Sequence, residues 1–229
     1  MGTKLYSQNT SIIKATNLPK FDIYTKPLNA EYTYGWGDLV CKLNLFSSST
    51  LSPQGGNNYN ASNMSDGNLN TAWVEGDNNY GTNVSISFKI DTGYYNIHSD
   101  SYDYFNGKLH FINGIYKTET LFKYNSRIKK MALYLNKELI CEFNLNDYRG
   151  VQRVDLTSYF DFSNIDVNTN SDDGIITLKT LVEKYKLKYD LNVNGKFKLK
   201  TNDVFELRIL DIFQGEKWKD TGLTEFFCY

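Results

Sequence analysis

Apolar and polar residues alternate along much of this chain, and the runs are short. Val84, Ile86, Phe88 and Ile90 alternate with Ser85, Ser87 and Lys89, the period-2 pattern of a strand with one face buried. Leu39, Cys41, Leu43 and Leu45 do the same around Val40, Lys42 and Asn44. Residues 128 to 135 and 139 to 145 carry Met131, Leu133 and Leu135, then Cys141, Phe143 and Leu145. The polar residues Asn136, Lys137 and Glu138 between them predict a β-hairpin. Further strands are expected at 109–112, ending in the Asn113-Gly114 turn signal, at 152–156, at 204–213 and at 223–229. Leu178, Leu181, Val182 and Tyr185 have helical spacing instead, with Thr177 as N-cap. Many short strands, turn signals and one short helix predict an all-β fold, an antiparallel sandwich or jelly roll. No internal repeat interrupts the pattern.

Domain limits follow from where the pattern fades. Residues 1–34, broken by Pro19 and Pro27, read as an extended N-terminal arm. Residues 35–229 make one domain, in which 161–200, with an acidic loop and the helix, is an insertion.

Composition narrows the function classes. Lys plus Arg number 25 against 26 acids, and a net charge of −1 gives no footprint for nucleic acid. No apolar run reaches the roughly 20 residues of a membrane-spanning helix, and the first residues show no secretory apolar core. The 18 Tyr and 14 Phe suit strands and also suit stacking on sugars. Two histidines and three cysteines without a CxxC pair argue against zinc. Cys41 and Cys228 could pair if the terminal strands are neighbours; buried thiols are the alternative.

Candidate chemistry concentrates between Asp66 and Gly76. Asp66, Asn68 and Thr71 supply hard oxygen donors, and Gly67 permits a sharp turn. Calcium takes six to eight oxygens, so a second acid is needed; Glu225, in a strand apolar on both faces, is the candidate. The competing reading is an Asx turn at Asp66, with Glu225 in water. Residues 166–174 are only faintly EF-hand-like, because the glycine falls at the wrong offset and position twelve lacks Glu. Trp73 reads as a core anchor, whereas Trp36, Tyr59, Tyr80 and Trp218 lie in polar contexts suited to stacking. No nucleophile elbow, zinc-protease helix or phosphate loop occurs, so the chain is expected not to be an enzyme.

The run Asp66-Gly-x-x-x-Thr71-Ala72-Trp73-x-Glu75-Gly76 resembles the discoidin, or coagulation-factor type C, superfamily of galactose-binding-like jelly rolls. The nearer similarity is to the bacterial glycan-binding domain found on secreted NAD-glycohydrolase toxins. It extends through Phe111–Gly114 with Asn125–Lys129, and through 209–226 with Gly215, Lys217, Trp218, Asp220, Thr221 and Glu225. The resemblance implies an eight-stranded sandwich whose terminal strands meet. It implies a structural calcium on Asp66, Asn68, Thr71, the carbonyl of Ala72, and Glu225. It also implies a glycan or glycoprotein partner on loops at one end, with Glu75, Asn125, Arg127, Trp218 and Asp220 in matching motifs and Tyr80 as a stacking ring. Arg127 and Asp220 could instead form a buried ion pair. The expected role is a glycan-binding module that is secreted or at the cell surface. A protein-binding adhesion domain, or an accessory domain of a secreted toxin, is the alternative.

Overall fold

The alternating runs become strands, and the computed structural model describes residues 12–18, 43–90, 94–96, 101–102, 107–169, 172–186, 191, 194–200 and 202–228. The first strands are β1 (Ile13–Lys14), β2 (Thr16–Asn17), β3 (Leu43–Ser47), β4 (Trp73–Val74) and β5 (Ser85–Ile90). They are followed by β6 (Tyr94–Asn96), β7 (Ser101–Tyr102), β8 (Lys108–Asn113), β9 (Ser126–Leu135), β10 (Glu138–Asn144) and β11 (Val151–Asp155). The last six are β12 (Phe160–Asp161), β13 (Asp166–Thr169), β14 (Ile175–Thr177), β15 (Phe197–Lys198), β16 (Val204–Phe213) and β17 (Thr221–Cys228). Two helices accompany them, α1 (Glu119–Tyr124) and α2 (Leu178–Tyr185).

The main sheet runs β2-β11-β8-β17-β9-β16-β5-β3, with β10 on β9, β1 on β10 and β4 on β17. Its two halves join through a short parallel contact of β17 with β9, Thr221 opposite Ser126 and Gly222 opposite Arg127. The sheet folds over at that joint. Phe226 of β17 therefore meets Phe88 of β5 at 5.0 Å between ring centroids, and Phe111 of β8 meets Phe143 of β10 at 5.7 Å. Strands that are not sheet neighbours thus face each other across a shared aromatic core, which makes the all-β sandwich. In the β9–β10 hairpin, Asn136 and Lys137 have φ of +49° and +73°, the paired left-handed conformation that matches strand twist. The helix expected after Thr177 forms, with the Thr177 hydroxyl accepting from the Thr180 amide at 3.2 Å.

Other expectations are revised. A second helix, α1, is capped by Thr118, whose hydroxyl accepts from the Leu121 amide at 3.1 Å. At the Asn113-Gly114 turn signal, Gly114 adopts φ +75°. The chain passes on to bridge Leu223 through Gly114, while the buried Asn113 amide exchanges hydrogen bonds with both backbone groups of Ile128 at 2.7 and 3.0 Å. The acidic stretch builds the β13–β14 hairpin, and the Asp173 carboxylate accepts from the Tyr185 hydroxyl at 2.9 Å and pairs with Lys184. Phe162, Val167, Leu178 and Leu181 of the inserted stretch belong to the main core. Within the N-terminal arm, β1 and β2 add to β10 and β11. Among the described residues, β3 pairs only with β5, and β17 with β8, β9 and β4, so the terminal strands are not hydrogen-bonded neighbours. Cys41, and with it the proposed pairing to Cys228, lies outside the described residues, as does Trp36. Among the described residues no helix is long and apolar enough to cross a membrane.

Candidate functional site

Two loops hang from β4, one on each side of Trp73. Trp73 is fully buried and its indole N–H donates to the Ser49 carbonyl at 3.1 Å, so both loops leave a fixed point.

The loop before Trp73 gathers oxygens. Gly67 at φ +70° turns the chain so that the Asn68 amide donates to Asp66 Oδ1 at 2.8 Å. Thr71 Oγ1 lies 2.8 and 3.0 Å from the Asp66 carboxylate oxygens and 2.7 Å from the Asn68 carbonyl. The Asn68 side chain turns away to accept from Asn70 at 3.1 and 3.2 Å, so its contribution to this cluster is the carbonyl. The Ala72 carbonyl accepts from Asn63 Nδ2 at 2.9 Å, which leaves its second lone pair. Across from this loop stands Glu225, 4 % exposed in a strand buried throughout. Its Oε1 is buried and has no hydrogen-bond partner among the described residues. Burial first, and then the facing Asp66 carboxylate, push its pKa up to about 9. Two carboxylates that face each other with one oxygen unpartnered, beside a hydroxyl and two carbonyls, fit a hard divalent cation such as calcium. Among the described residues no cluster of three or more His, Cys, Asp or Glu occurs.

The loop after Trp73 is self-contained. Glu75 is 1 % exposed, and its carboxylate accepts from the Asp77 amide at 2.6 Å and the Thr221 amide at 3.4 Å. Burial raises its pKa, these amides oppose the shift, and the charge of Asp220 adds to it. Gly81, at φ +73°, lies so close that a Cβ there would strike the Glu75 side chain. Tyr80 is half-buried; its carbonyl accepts from the Thr221 hydroxyl at 2.7 Å, and Lys219 Nζ stands 5.4 Å from its ring centroid. Asp220 is half-exposed, with its pKa raised by burial.

A third segment, 214–221, is strapped along the end of α1. The amides of Glu216, Lys217 and Trp218 donate to the carbonyls of Lys123 and Tyr124 at 2.8–3.1 Å, and the Ser126 amide donates to the Asp220 carbonyl at 2.9 Å. Gly215 permits this approach, since a Cβ would run into the carbonyls of Tyr124 and Asn125. The Trp218 ring is left 37 % exposed, edge-on to Tyr124 at 5.4 Å, with Lys217 Nζ 4.7 Å from its centroid.

The nominated residues therefore divide. Tyr80, Trp218 and Asp220 reach the surface at one end of the sandwich, while Glu75, Asn125 and Arg127 are buried beneath it. Asn125 caps α1, its Nδ2 donating to the Leu121 carbonyl at 2.8 Å. Arg127 does not pair with Asp220. Its guanidinium grips Asp147 with two 2.8 Å bonds and donates to the carbonyls of Phe122, Lys123 and Asn125, because α1 presents its unpaired C-terminal carbonyls there. Asp147 lies twenty positions away on a different loop, and nothing local in the sequence marks it. Tyr124, the other residue sequence reasoning missed, could have been found from the Thr118 cap and the Glu119–Lys123 pair that announce α1. The two oxygen-bearing regions share β17: Thr221 serves the Glu75 loop and Glu225 the Asp66 loop, roughly 13 Å apart along the strand.

Several similar solved structures are carbohydrate-binding modules. One from Clostridium perfringens, CpGH89CBM32-5, solved with GalNAc-β-1,3-galactose, is 14 % identical, covers 82 % of this chain and 94 % of its own, and has a TM-score of 0.44. The paired CBM32-1 and CBM32-2 domains of C. perfringens ZmpB, solved with GalNAc, are 10 % identical over 98 % of this chain and 41 % of theirs, at 0.48. The family 32 module of Streptococcus pneumoniae EndoD is 12 % identical, covers 83 % and 97 %, and scores 0.44. Likeness at this level says nothing about ligands. No curated protein matches the chain. The family model of the NAD glycohydrolase translocation F5/8 type C domain matches residues 35–229, and the chain belongs to that discoidin-like family.

Proposed function

We propose that this chain is a non-catalytic glycan-binding module whose contact surface is the end of the sandwich carrying Trp218, Tyr80 and Asp220. The observation that carries the reading is Trp218. A large aromatic is held by three backbone hydrogen bonds of its loop on a rigid helix end, yet keeps over a third of its surface in water. Ordered, exposed aromatic rings suit the apolar faces of sugars, with nearby carboxylates and amides for the hydroxyls. Asp220 is such a carboxylate, and Tyr80 a second ring. Glu75, Asn125 and Arg127 act from below, fixing the loops that present these groups.

A structural calcium belongs to the same reading. Asp66, Thr71, the carbonyls of Asn68 and Ala72, and Glu225 would hold it, and when bound it neutralises the facing carboxylates. Its role is to fix the 66–72 loop. The module would act in attachment or targeting of a secreted or cell-surface protein. Screening the purified chain and its Trp218→Ala variant against a broad glycan array tests this: the native chain should bind a defined set of glycans and the variant at least about tenfold more weakly. Absence of binding by the native chain across the array, with calcium present, would overturn it.

A further inference from the structure

A cleft of about 510 Å³ opens beside the Trp218 surface, between α1, the loop 147–149 and residues 214–216. Its wall is rigid. Arg127 and Asp147 are locked together, and Arg149 is stacked 4.1 Å over the Tyr116 ring with Nη2 donating to the Tyr116 carbonyl at 2.7 Å. Part of its polar equipment is unused. The Tyr148 hydroxyl, the Gln214 amide, the Glu216 carboxylate and Arg149 Nη1 make no hydrogen bond among the described residues. Cationic and acidic side chains line the cleft in equal number, so it does not select an anion. A hydroxyl both donates and accepts, and a wall that mixes free donors and free acceptors around an aromatic ring matches a neutral, hydroxyl-rich ligand.

The cleft is continuous with the surface above. Glu216 lines it, and Trp218 lies two residues further on, at most roughly 7 Å along the chain. Both are strapped to adjacent α1 carbonyls, Glu216 to that of Lys123 and Trp218 to that of Tyr124. We propose that the cleft is a second sugar subsite, so that the ligand is an oligosaccharide whose units occupy the Trp218 surface and the Tyr148–Arg149 cleft together. This rests on the glycan-binding reading given above.

Graded mono-, di-, tri- and tetrasaccharides built from galactose and N-acetylhexosamine, titrated against the native chain, test it. Affinity should rise about tenfold or more between the mono- and trisaccharide. Arg149→Ala and the exposed Glu216→Ala should each remove most of that rise and leave monosaccharide binding unchanged, whereas Trp218→Ala weakens every member. Equal affinity for short and long members, or an unchanged length dependence in both cleft variants, would overturn the second subsite while leaving the Trp218 surface standing. Failure of every member to bind would remove both.

Discussion

Two buried glutamates, one served by β17 and one on it, are treated in opposite ways. Glu75 is enclosed by its own chain, with the amides of Asp77 and Thr221 turned toward its carboxylate. Glu225 is almost as deeply buried; the amides of Asn68 and Gly67 oppose its shift, but one oxygen has no partner and the facing charge is another carboxylate, Asp66. A chain that can supply donors does so where a carboxylate serves only to tie a loop. Where it leaves two acids facing each other, something positive completes the site. The first arrangement is finished by folding; in the proposed reading, the second is finished by a cation.

Trp73→Ala should break both, because each loop leaves this one anchor. Removing a fully buried Trp costs about 4 kcal/mol, and chemical denaturation should show that loss with and without calcium. Glu75→Ala sharpens the contrast. It strands the buried Thr221 amide, which costs about 2 kcal/mol, and the loss should be equal in calcium and in chelator. A calcium-dependent loss would mean the two loops are one site.

The pH dependence sets Glu225 apart from the buried histidine. Glu225 has a folded pKa of about 9 against an ordinary 4.5, so without cation the folded state holds the extra proton. Its contribution is fully present below 4.5 and is lost as pH rises toward 9. Buried His110 has the opposite slope: burial, and then the Arg153 and Lys108 charges, lower its pKa to about 3, so its contribution is lost as pH falls below 6.5. Between pH 7 and 9 in chelator, stability should therefore fall in the native chain and stay level in Glu225→Gln. A level native profile would deny the facing carboxylates. Smallest is the effect of Trp218→Ala on folding, about 1 kcal/mol from the lost edge contact with Tyr124. A loss as large as that of Trp73 would make Trp218 a core residue and not a contact.

What the sequence made legible was whatever is local. The alternation around Ile86 and Phe88, the Asn136-Lys137 turn and the Thr177 cap could all be read residue by residue. The oxygen-rich loop was legible too, because Asp66, Gly67 and Thr71 lie within one turn, and Glu225 stood out as an acid in an apolar strand. Pairings across the fold were not. Arg127 finds Asp147 only because α1 and the β10–β11 loop converge there, and Glu75 is buried only because β17 comes down beside β4. Alternation says which face is inside; it does not say which polar group waits opposite.

The most direct measurement is the melting temperature of the native chain in calcium and in chelator, beside that of Asp66→Ala and Glu225→Gln. A folded state that binds calcium is stabilised in proportion to its occupancy. The expected result is a clear rise with calcium in the native chain and none in either variant. Identical melting of the native chain in calcium and in chelator at neutral pH would contradict the cation site, and with it the distinction between the two glutamates.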